Sequence, residues 1–395
     1  MNKVIFIICD GLADRPIPQL RDKTPLEAAD TPNLDRLAKG GISGLIYPID
    51  IGIRPGSDTS HLCLFGYDPK IYYSGRGPFE VAGIGMELQD GDVAFRANMG
   101  TVDKDLVIVD RRAGRVQSTE KYAQILNGTE IDGIKFLTKA GTGHRLGLIM
   151  RGIGLSANIS DADPHQNGVK VLEVKPLDNS SQAAFTTGVL NKFLKVAYQK
   201  LANLPPANYL LVRGAGKLSK FPSFQDKYGL KACCIAGAGL YKGIARVLGM
   251  QVLAVEEATG KPDTNINNKI KKVVQEYNNF DFFYVHIKAA DSLAEDGNWQ
   301  AKLKFIEKID LALAPLFELK EALIIVTADH TTSSEAKIHT ADPVPVTIYG
   351  GRERTDNVEK FSERACAKGG LGHIKGLDLM PVIIDLLGKS KLYGA

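Results

Sequence analysis

The chain has 395 residues, of which 44% are hydrophobic and 24% charged, an ordinary globular composition with room for roughly two or three domains. Its 49 Lys and Arg nearly balance 45 Asp and Glu, for a net charge of +4, which argues against a protein that coats nucleic acid. Seven His and five Cys, with no CxxC spacing, argue against a structural zinc module.

The first apolar run, Val4 to Cys9, ends at Asp10. It is too short for a signal core or a membrane span, and no later run approaches about eighteen apolar residues. A cytoplasmic protein with no membrane partner is expected. Cys9, Cys63, Cys233, Cys234 and Cys366 read as buried reduced thiols. The same first run reads as a buried strand. A helix follows, with Thr31 as N-cap candidate, Pro32 at the first helical position and Gly40-Gly41 as the stop. From Arg76 to Asn208 the pattern becomes Gly-rich. Strands are expected at VAFRANMGTV, LVIVDRR and KVLEVKP, with one helix near 182–202. Later, 282–287 reads as a strand, AKLKFIEKIDLALAPLFE as a helix, and 323–328 and 343–349 as further strands. Buried strands alternating with helices indicate an α/β fold, a mostly parallel sheet with helices on both faces. The middle reads as an inserted, smaller α+β domain. The expected division is 1–75 with 225–395, and 76–224, with hinges at YYSGRGPFE (around Arg76) and 218–229.

Three of the apolar strands run into an aspartate: Asp10, Asp291 and Asp329, the last followed by His330. In an open parallel sheet, strand C-termini share one edge, where ligands bind. Three acids on one edge repel each other unless a cation sits among them, and a divalent metal meets that need. Alone, each Asp would read as a turn or cap residue. Glu295 lies four residues after Asp291, on the same face if the segment is helical. His339 follows His330 by nine residues, close enough to return to the same edge. Together these residues suit a two-metal cluster of mixed O and N ligands.

In IRPGSDTSHLCLFGYDP, Ser57 lies between Gly56 and Asp58. The sequence is a good helix N-cap, and a Ser at a helix start is also well placed to meet a phosphate. A metal that lowers its hydroxyl pKa would make it a nucleophile. His61 is either a base or a residue packed on the helix. The Gly-rich RGAGK and IAGAG lack the strand–GxGxxG–helix order and the P-loop spacing, so no nucleotide is implied.

The strings CDGLADRPIPQLRDKTPLEAADTPNLDRLA, GIRPGSDTSHLCLFGYDP, YYSGRGPFEVAGIGMEL, HRLGLIMRG, SDADPH, LYKGIARVLGM, TADHTT, HTADPVPVTIYG and GGLGHIKGLDLMPVIIDLLG span essentially the whole chain. In order and spacing they resemble the archaeal-type cofactor-independent phosphoglycerate mutases, of the alkaline-phosphatase-like metalloenzymes. The resemblance implies isomerisation between 2-phosphoglycerate and 3-phosphoglycerate, in glycolysis and gluconeogenesis, through a phosphoserine on Ser57. It needs two divalent ions and no 2,3-bisphosphoglycerate. Manganese is the expected metal, with magnesium, cobalt or zinc as alternatives. Asp10, Ser57, Asp329 and His330 would surround one ion; Asp291, Glu295 and His339 would surround the other.

The family pattern at the second site is usually Asp-x-x-x-His-Asp-Gly, whereas this chain has Glu295 where that His stands. A Glu ligand makes the site harder and more anionic, favouring Mg²⁺ or Mn²⁺ over Zn²⁺. For a phosphoglycerate substrate, Arg145, Arg151 and Arg213 would bind the carboxylate and phosphate, with Lys242 near the phosphate. Asp163 and His165 would orient the glycerate hydroxyls or relay a proton. The alternatives are a phosphatase or homoserine kinase-like enzyme on the same scaffold, and a metal-impaired phosphoglycerate binder. The sequence leaves the oligomeric state open.

Overall fold

A computed structural model describes residues 3–351 and 354–394. The chain divides into two compact units, one ending at Ile71 and resuming at Pro222, the other spanning Tyr72–Phe221.

The first unit is built on an eight-stranded sheet whose centre is Lys3–Cys9, paired in parallel with Phe282–Ile287 on one side and Ala322–Thr327 on the other. All three strands are continuous apolar runs because helices cover both faces. The register sets Ile8 beside both His286 and Thr327, so the chain leaves all three strands at one level. Ala232–Ile235 and Gln251–Val252 extend the sheet in parallel beyond Phe282–Ile287. The sheet is mostly parallel, as expected, with one strand reversed. Val344–Tyr349 runs antiparallel both to Ala322–Thr327 and to Gly41–Tyr47, which pairs in parallel with Gly372–Lys375. The reason is the connection: after Asp329 the chain makes only a short hairpin, Thr331–Ser333 against Ile338–Thr340. It therefore re-enters the sheet from the edge it has just left, which dictates the opposite direction.

The helix Pro32–Lys39 begins where expected, but the Thr31 hydroxyl makes no cap bond and instead faces Asp35 at 3.5 Å. Gly56, not Ser57, caps the helix Ser57–Leu64, which leaves the Ser57 side chain free for other contacts. Trp299–Ala312 is the expected long helix, capped by Asn298.

The loop after the first strand is pinned by a buried ion pair. Lys302, with no exposed surface, places Nζ 2.9 Å from Asp14 Oδ2, 3.0 Å from the Ala13 carbonyl and 3.1 Å from the Thr332 carbonyl. Ser334 adds a backbone N–H and a hydroxyl to the same Asp14 carboxylate. Glu363 accepts the Asp14 N–H and the Thr24 hydroxyl, and burial first, offset only in part by those bonds, lifts its carboxyl from 4.5 to about 7.

Removing one partner of such a pair leaves the other charge buried and alone. Lys302→Met is expected to cost about 3–5 kcal/mol in urea unfolding. Glu363 has the opposite sign to an ordinary paired carboxylate. From pH 4.5 to about 7 the folded chain holds a proton that the unfolded chain has released. Stability therefore falls as pH rises through that window. Glu363→Gln is expected to remove on the order of 1–2 kcal/mol of that fall, read from unfolding curves at about pH 5 and about pH 8.

The second unit is an antiparallel sheet with Val93–Val102 at its centre, flanked by Arg145–Arg151 and Tyr209–Lys217. Ile134–Ala140 and Thr129–Ile131 continue it, and Ile108–Asp110 pairs the end of Val93–Val102. The helix Ser181–Leu201 packs its apolar face on this sheet, with the Phe136 and Phe193 rings stacked 3.9 Å apart. KVLEVKP is not a strand. It meets its neighbours through isolated bridges, Val107 to Lys170 and Ile159 to Pro176, through scattered backbone bonds, and through bonds to the Ser160 and Asn191 side chains. Among the described residues, no helix is long and apolar enough to cross a membrane.

Candidate metal centre

The common edge of the three parallel strands carries the acids. Asp10 directly follows Lys3–Cys9, and Asp329 lies two residues beyond Ala322–Thr327. Asp291 sits in the first turn of the helix Ala289–Glu295, which begins just after Phe282–Ile287. All three are buried. Gly11 allows this crowding. It has φ +64°, and a Cβ there would lie 2.6 Å from Asp291 Cα and 2.7 Å from Thr332 Oγ1.

The Asp10 carboxylate is used asymmetrically. Its Oδ2 receives the Tyr241 hydroxyl and Lys288 Nζ at 3.3 Å, and lies 3.2 Å from His286 Nε2. Its Oδ1 has no hydrogen-bond partner. Asp329 repeats the arrangement: Oδ1 accepts the Gly11 N–H at 3.3 Å, while Oδ2 is unpartnered. His330 Nε2 lies 3.3 Å from Asp10 Oδ1, from Asp329 Oδ2 and from Ser57 Oγ. Two unsatisfied buried carboxylate oxygens, an imidazole nitrogen and a hydroxyl thus face one point. Orphaned buried acceptors of this kind are costly unless a cation completes them. The donor set fits a divalent metal.

Electrostatics agree. Burial would raise the Asp10 carboxyl, but Lys288, His286 and His330 hold it well below the usual range. Burial and the Asp10 and Asp291 charges push Asp329 well above it. Two such neighbours cannot both carry a bare charge without a further cation. Burial lowers His330, keeping its imidazole neutral, the form in which a ring nitrogen can ligate.

The second set is more open. His339 Nε2 lies 3.3 Å from Asp291 Oδ1, and its Nδ1 is 3.1 Å from the Pro55 carbonyl, which leaves Nε2 unprotonated in the neutral ring. Asp291, His330 and His339 can converge on one ion, as can Asp10, Asp329 and His330. Glu295 shares a helix face with Asp291, as expected, but its Oε1 is 3.9 Å from His339 Nε2 and its side chain is 53% exposed. It stands at the rim of this set.

Lys288, His286, Tyr241 and Thr332 went unrecognised in the sequence. Lys288 bridges the two sets, 2.7 Å from Asp291 Oδ2 and 3.3 Å from Asp10 Oδ2. Burial lowers its pKa, but Asp10, Tyr241 and Asp291 outweigh that and raise it well above the usual range. Its position three residues before Asp291 was the available signal. His61 is no base for Ser57. It is fully buried, held at about 3 first by burial, with Nδ1 on the Ser57 carbonyl at 2.6 Å. Lys242 sits in the first turn of the helix Gly239–Val247, next to Tyr241. The five cysteines are free and buried, and burial pushes Cys9, Cys63, Cys234 and Cys366 up to about 12, so no thiolate nucleophile is present.

The second unit gathers an arginine cluster of its own. Arg76 Nε and Arg96 Nη1 share Glu80 Oε1, at 2.8 and 3.3 Å. Arg96 stands opposite Arg213 in the sheet, and Arg145 pairs with Asn98 two positions on. Burial first, and then Arg145, Arg76 and Arg213, press Arg96 down to about 9, and its Nε is unpartnered. Arg213 Nη1 lies 3.1 Å from His165 Nδ1, which must accept because guanidinium only donates. Arg111 grips both Asp163 oxygens, at 2.9 and 2.7 Å, and Asp163 accepts the His165 N–H at 3.0 Å. Arg145, Arg213, Asp163 and His165 therefore belong to one neighbourhood, with Arg96 and Arg111 added to it. Arg151 does not. At the far end of its strand, it is paired bidentately with Asp92 and donates to the Glu87 carbonyl.

The profile of the Metalloenzyme superfamily matches residues 2–386 of this chain. A Methanocaldococcus jannaschii protein named 2,3-bisphosphoglycerate-independent phosphoglycerate mutase 1 is 48% identical, with 100% of this chain and 99% of that protein aligned. An Archaeoglobus fulgidus protein of the same name is 46% identical, over 99% of this chain and 100% of its own. The solved structure of a cofactor-independent phosphoglycerate mutase from Thermoplasma acidophilum superposes with TM-score 0.72 at 38% identity, covering 98% of this chain and 100% of that one. A Pyrococcus horikoshii structure superposes with TM-score 0.86 at 34% identity, covering 100% and 99%.

Proposed function

We propose that this chain, which belongs to the 2,3-bisphosphoglycerate-independent phosphoglycerate mutases of the Metalloenzyme superfamily, interconverts 2-phosphoglycerate and 3-phosphoglycerate through a phosphoserine on Ser57. The observation that carries the reading is the meeting of Ser57 Oγ and His330 Nε2 with the unpartnered oxygens of Asp10 and Asp329. Asp10, Ser57, Asp329 and His330 would hold one divalent ion, and Asp291, His339 and Glu295 a second. Two ions so held lower the pKa of a coordinated hydroxyl and offset charge on a transferring phosphoryl group. We favour Mn²⁺, because the second set offers two carboxylates and one imidazole, a harder donor set than one rich in His. Mg²⁺, Co²⁺ and Zn²⁺ are the alternatives.

Ser57 stands at the first turn of its helix with its hydroxyl unused in capping, so Oγ is free to bond phosphorus. As that bond forms, the bond from phosphorus to one glycerate oxygen breaks, and the proton from Ser57 ends on the released hydroxyl. The return transfer to the other hydroxyl reverses these steps, and the net change is the position of the phosphate. Lys288, fixed by two carboxylates, keeps Asp10 and Asp291 ionised as these charges move. We assign carboxylate and phosphate recognition to Arg96, Arg145 and Arg213, with Lys242 on the phosphate. Arg111 and Asp163 position His165, which is suited to carry a proton between glycerate hydroxyls. Arg151, bound to Asp92, serves the fold of its strand. We place the reaction in the cytoplasm, as a step of glycolysis and gluconeogenesis; that compartment suits five reduced thiols.

Phosphorus NMR of the protein with 3-phosphoglycerate and Mn²⁺ is expected to show 2-phosphoglycerate growing in with no 2,3-bisphosphoglycerate added. Inorganic phosphate alone would identify a phosphatase, and ATP-dependent phosphorylation of homoserine without isomerisation would identify the kinase-like alternative. Ser57→Ala is expected to lose turnover by several orders of magnitude, and a mutant that keeps its rate would refute the phosphoserine route. Glu295→His is expected to raise Zn²⁺ binding relative to Mn²⁺ at one of the two sites, measured by competition calorimetry. An unchanged ratio would remove Glu295 from the ligand set.

A further inference from the structure

We propose that the Thr332 hydroxyl is the positioning group that couples the two metal sets, setting the tautomer of His330 in one while holding Asp291 in the other. This inference rests on the two-metal reading above. Thr332 is fully buried, with Oγ1 2.9 Å from Asp291 Oδ1 and 3.0 Å from His330 Nδ1. A hydroxyl has one proton to give. An ionised carboxylate can only accept, and the other oxygen of Asp291 takes the Lys288 ammonium at 2.7 Å. The Thr332 proton therefore lies toward Asp291, and Oγ1 must accept from His330 Nδ1–H. In the neutral ring this leaves the lone pair on Nε2, the atom that faces Asp10, Asp329 and Ser57. The other tautomer would put a proton where a ligand atom is required, and would leave two acceptors facing each other across 3.0 Å. A ring nitrogen's partner is what sets which nitrogen is free to bind metal.

The surrounding structure holds Thr332 for this purpose from three directions. Its N–H donates to the Ala13 carbonyl at 3.1 Å, and its carbonyl accepts Lys302 Nζ at 3.1 Å. It stands directly across the hairpin from His339, whose ring stacks on that of His330 with centroids 3.6 Å apart. Gly11 gives way to the hydroxyl, since a Cβ there would come within 2.7 Å of Oγ1. One hydroxyl therefore links Asp291 to His330, and the register that places it also places His339.

The test compares wild type, Thr332→Val and Thr332→Ser. Valine keeps the branched shape and removes both hydrogen bonds; serine keeps the hydroxyl. Metal-free proteins are titrated with Mn²⁺ by calorimetry, and the imidazole nitrogens of ¹⁵N-His-labelled, Zn²⁺-loaded wild type are read by proton–nitrogen correlation. The expectation is an Nδ1–H His330 in wild type, a loss of Mn²⁺ affinity at both sites of about 10–100-fold in Thr332→Val, and wild-type binding in Thr332→Ser. Wild-type affinity in Thr332→Val, a loss confined to one site, or an equal loss in Thr332→Ser would overturn the proposal. Should the valine variant not fold, an Nε2–H His330 in wild type or weakened Mn²⁺ binding in Thr332→Ser would overturn it, and the opposite results would sustain it. A wild-type protein that binds no Mn²⁺ would instead remove the two-metal reading on which the proposal stands.

Discussion

Three aspartates that cannot share a dry edge as free anions set the terms for the rest of the first unit. Asp10, Asp291 and Asp329 are delivered to one level by the register of three parallel strands. The protein meets part of that charge with Lys288, which touches two of them, and part with donors set on one oxygen of Asp10 and one of Asp329. The oxygens left over point inward with no partner. That division of Asp10 and of Asp329 into a tied and an open atom separates a candidate metal centre from an ordinary buried ion-pair network. In such a network, every buried lone pair would be expected to find a proton.

The apolar core behind the edge also contributes. Tyr241 and His286 stack at 3.4 Å beneath Asp10, and His61 and Tyr284 pack beside them. Burial keeps His61 and His286 neutral, at about 3 and about 4, so they pack behind the acids without adding charge. On the other side, the Lys302–Asp14 pair ties the loop after the first strand to the hairpin after Asp329. Ligands far apart in sequence are thereby held to one geometry by interactions that never touch the site.

The second unit solves a different electrostatic problem. Its sheet brings Arg96 and Arg213 to paired positions, with Arg76 and Arg96 sharing Glu80. Burial first, and then the neighbouring guanidinium groups, depress Arg96, whose Nε has no hydrogen-bond partner. Such a cluster is suited to anions of the ligand, because guanidinium groups held near one another gain from each negative oxygen they receive.

Much of this was legible from residue order. Strand-terminal Asp10, Asp291 and Asp329, the adjacent His330 and the helix spacing of Asp291 and Glu295 are local features, and a parallel sheet turns them into one edge whatever its details. Ser57 at a helix start is equally local, as are the helices near 182–202 and after Asn298. Other features required the folded chain. The reversed direction of Val344–Tyr349 follows from which edge a short hairpin leaves, and an apolar strand reads the same in either direction. Arg145 and Arg151 look equivalent in HRLGLIMRG, yet one lies beside Asn98 near the arginine cluster and the other is bound to Asp92, because they close opposite ends of one strand. Tyr241 and Thr332 lie within LYKGIARVLGM and TADHTT, and Lys288 lies three residues before Asp291, yet none of these settings reveals the role. Each role depends on a distance to at least one carboxylate tens or hundreds of residues away in the chain. The sequence by itself determined which groups could meet, through strand and helix periodicity. The tertiary structure alone decided which oxygen of Asp10 and of Asp329 is tied and which is open, because that depends on contacts between distant segments.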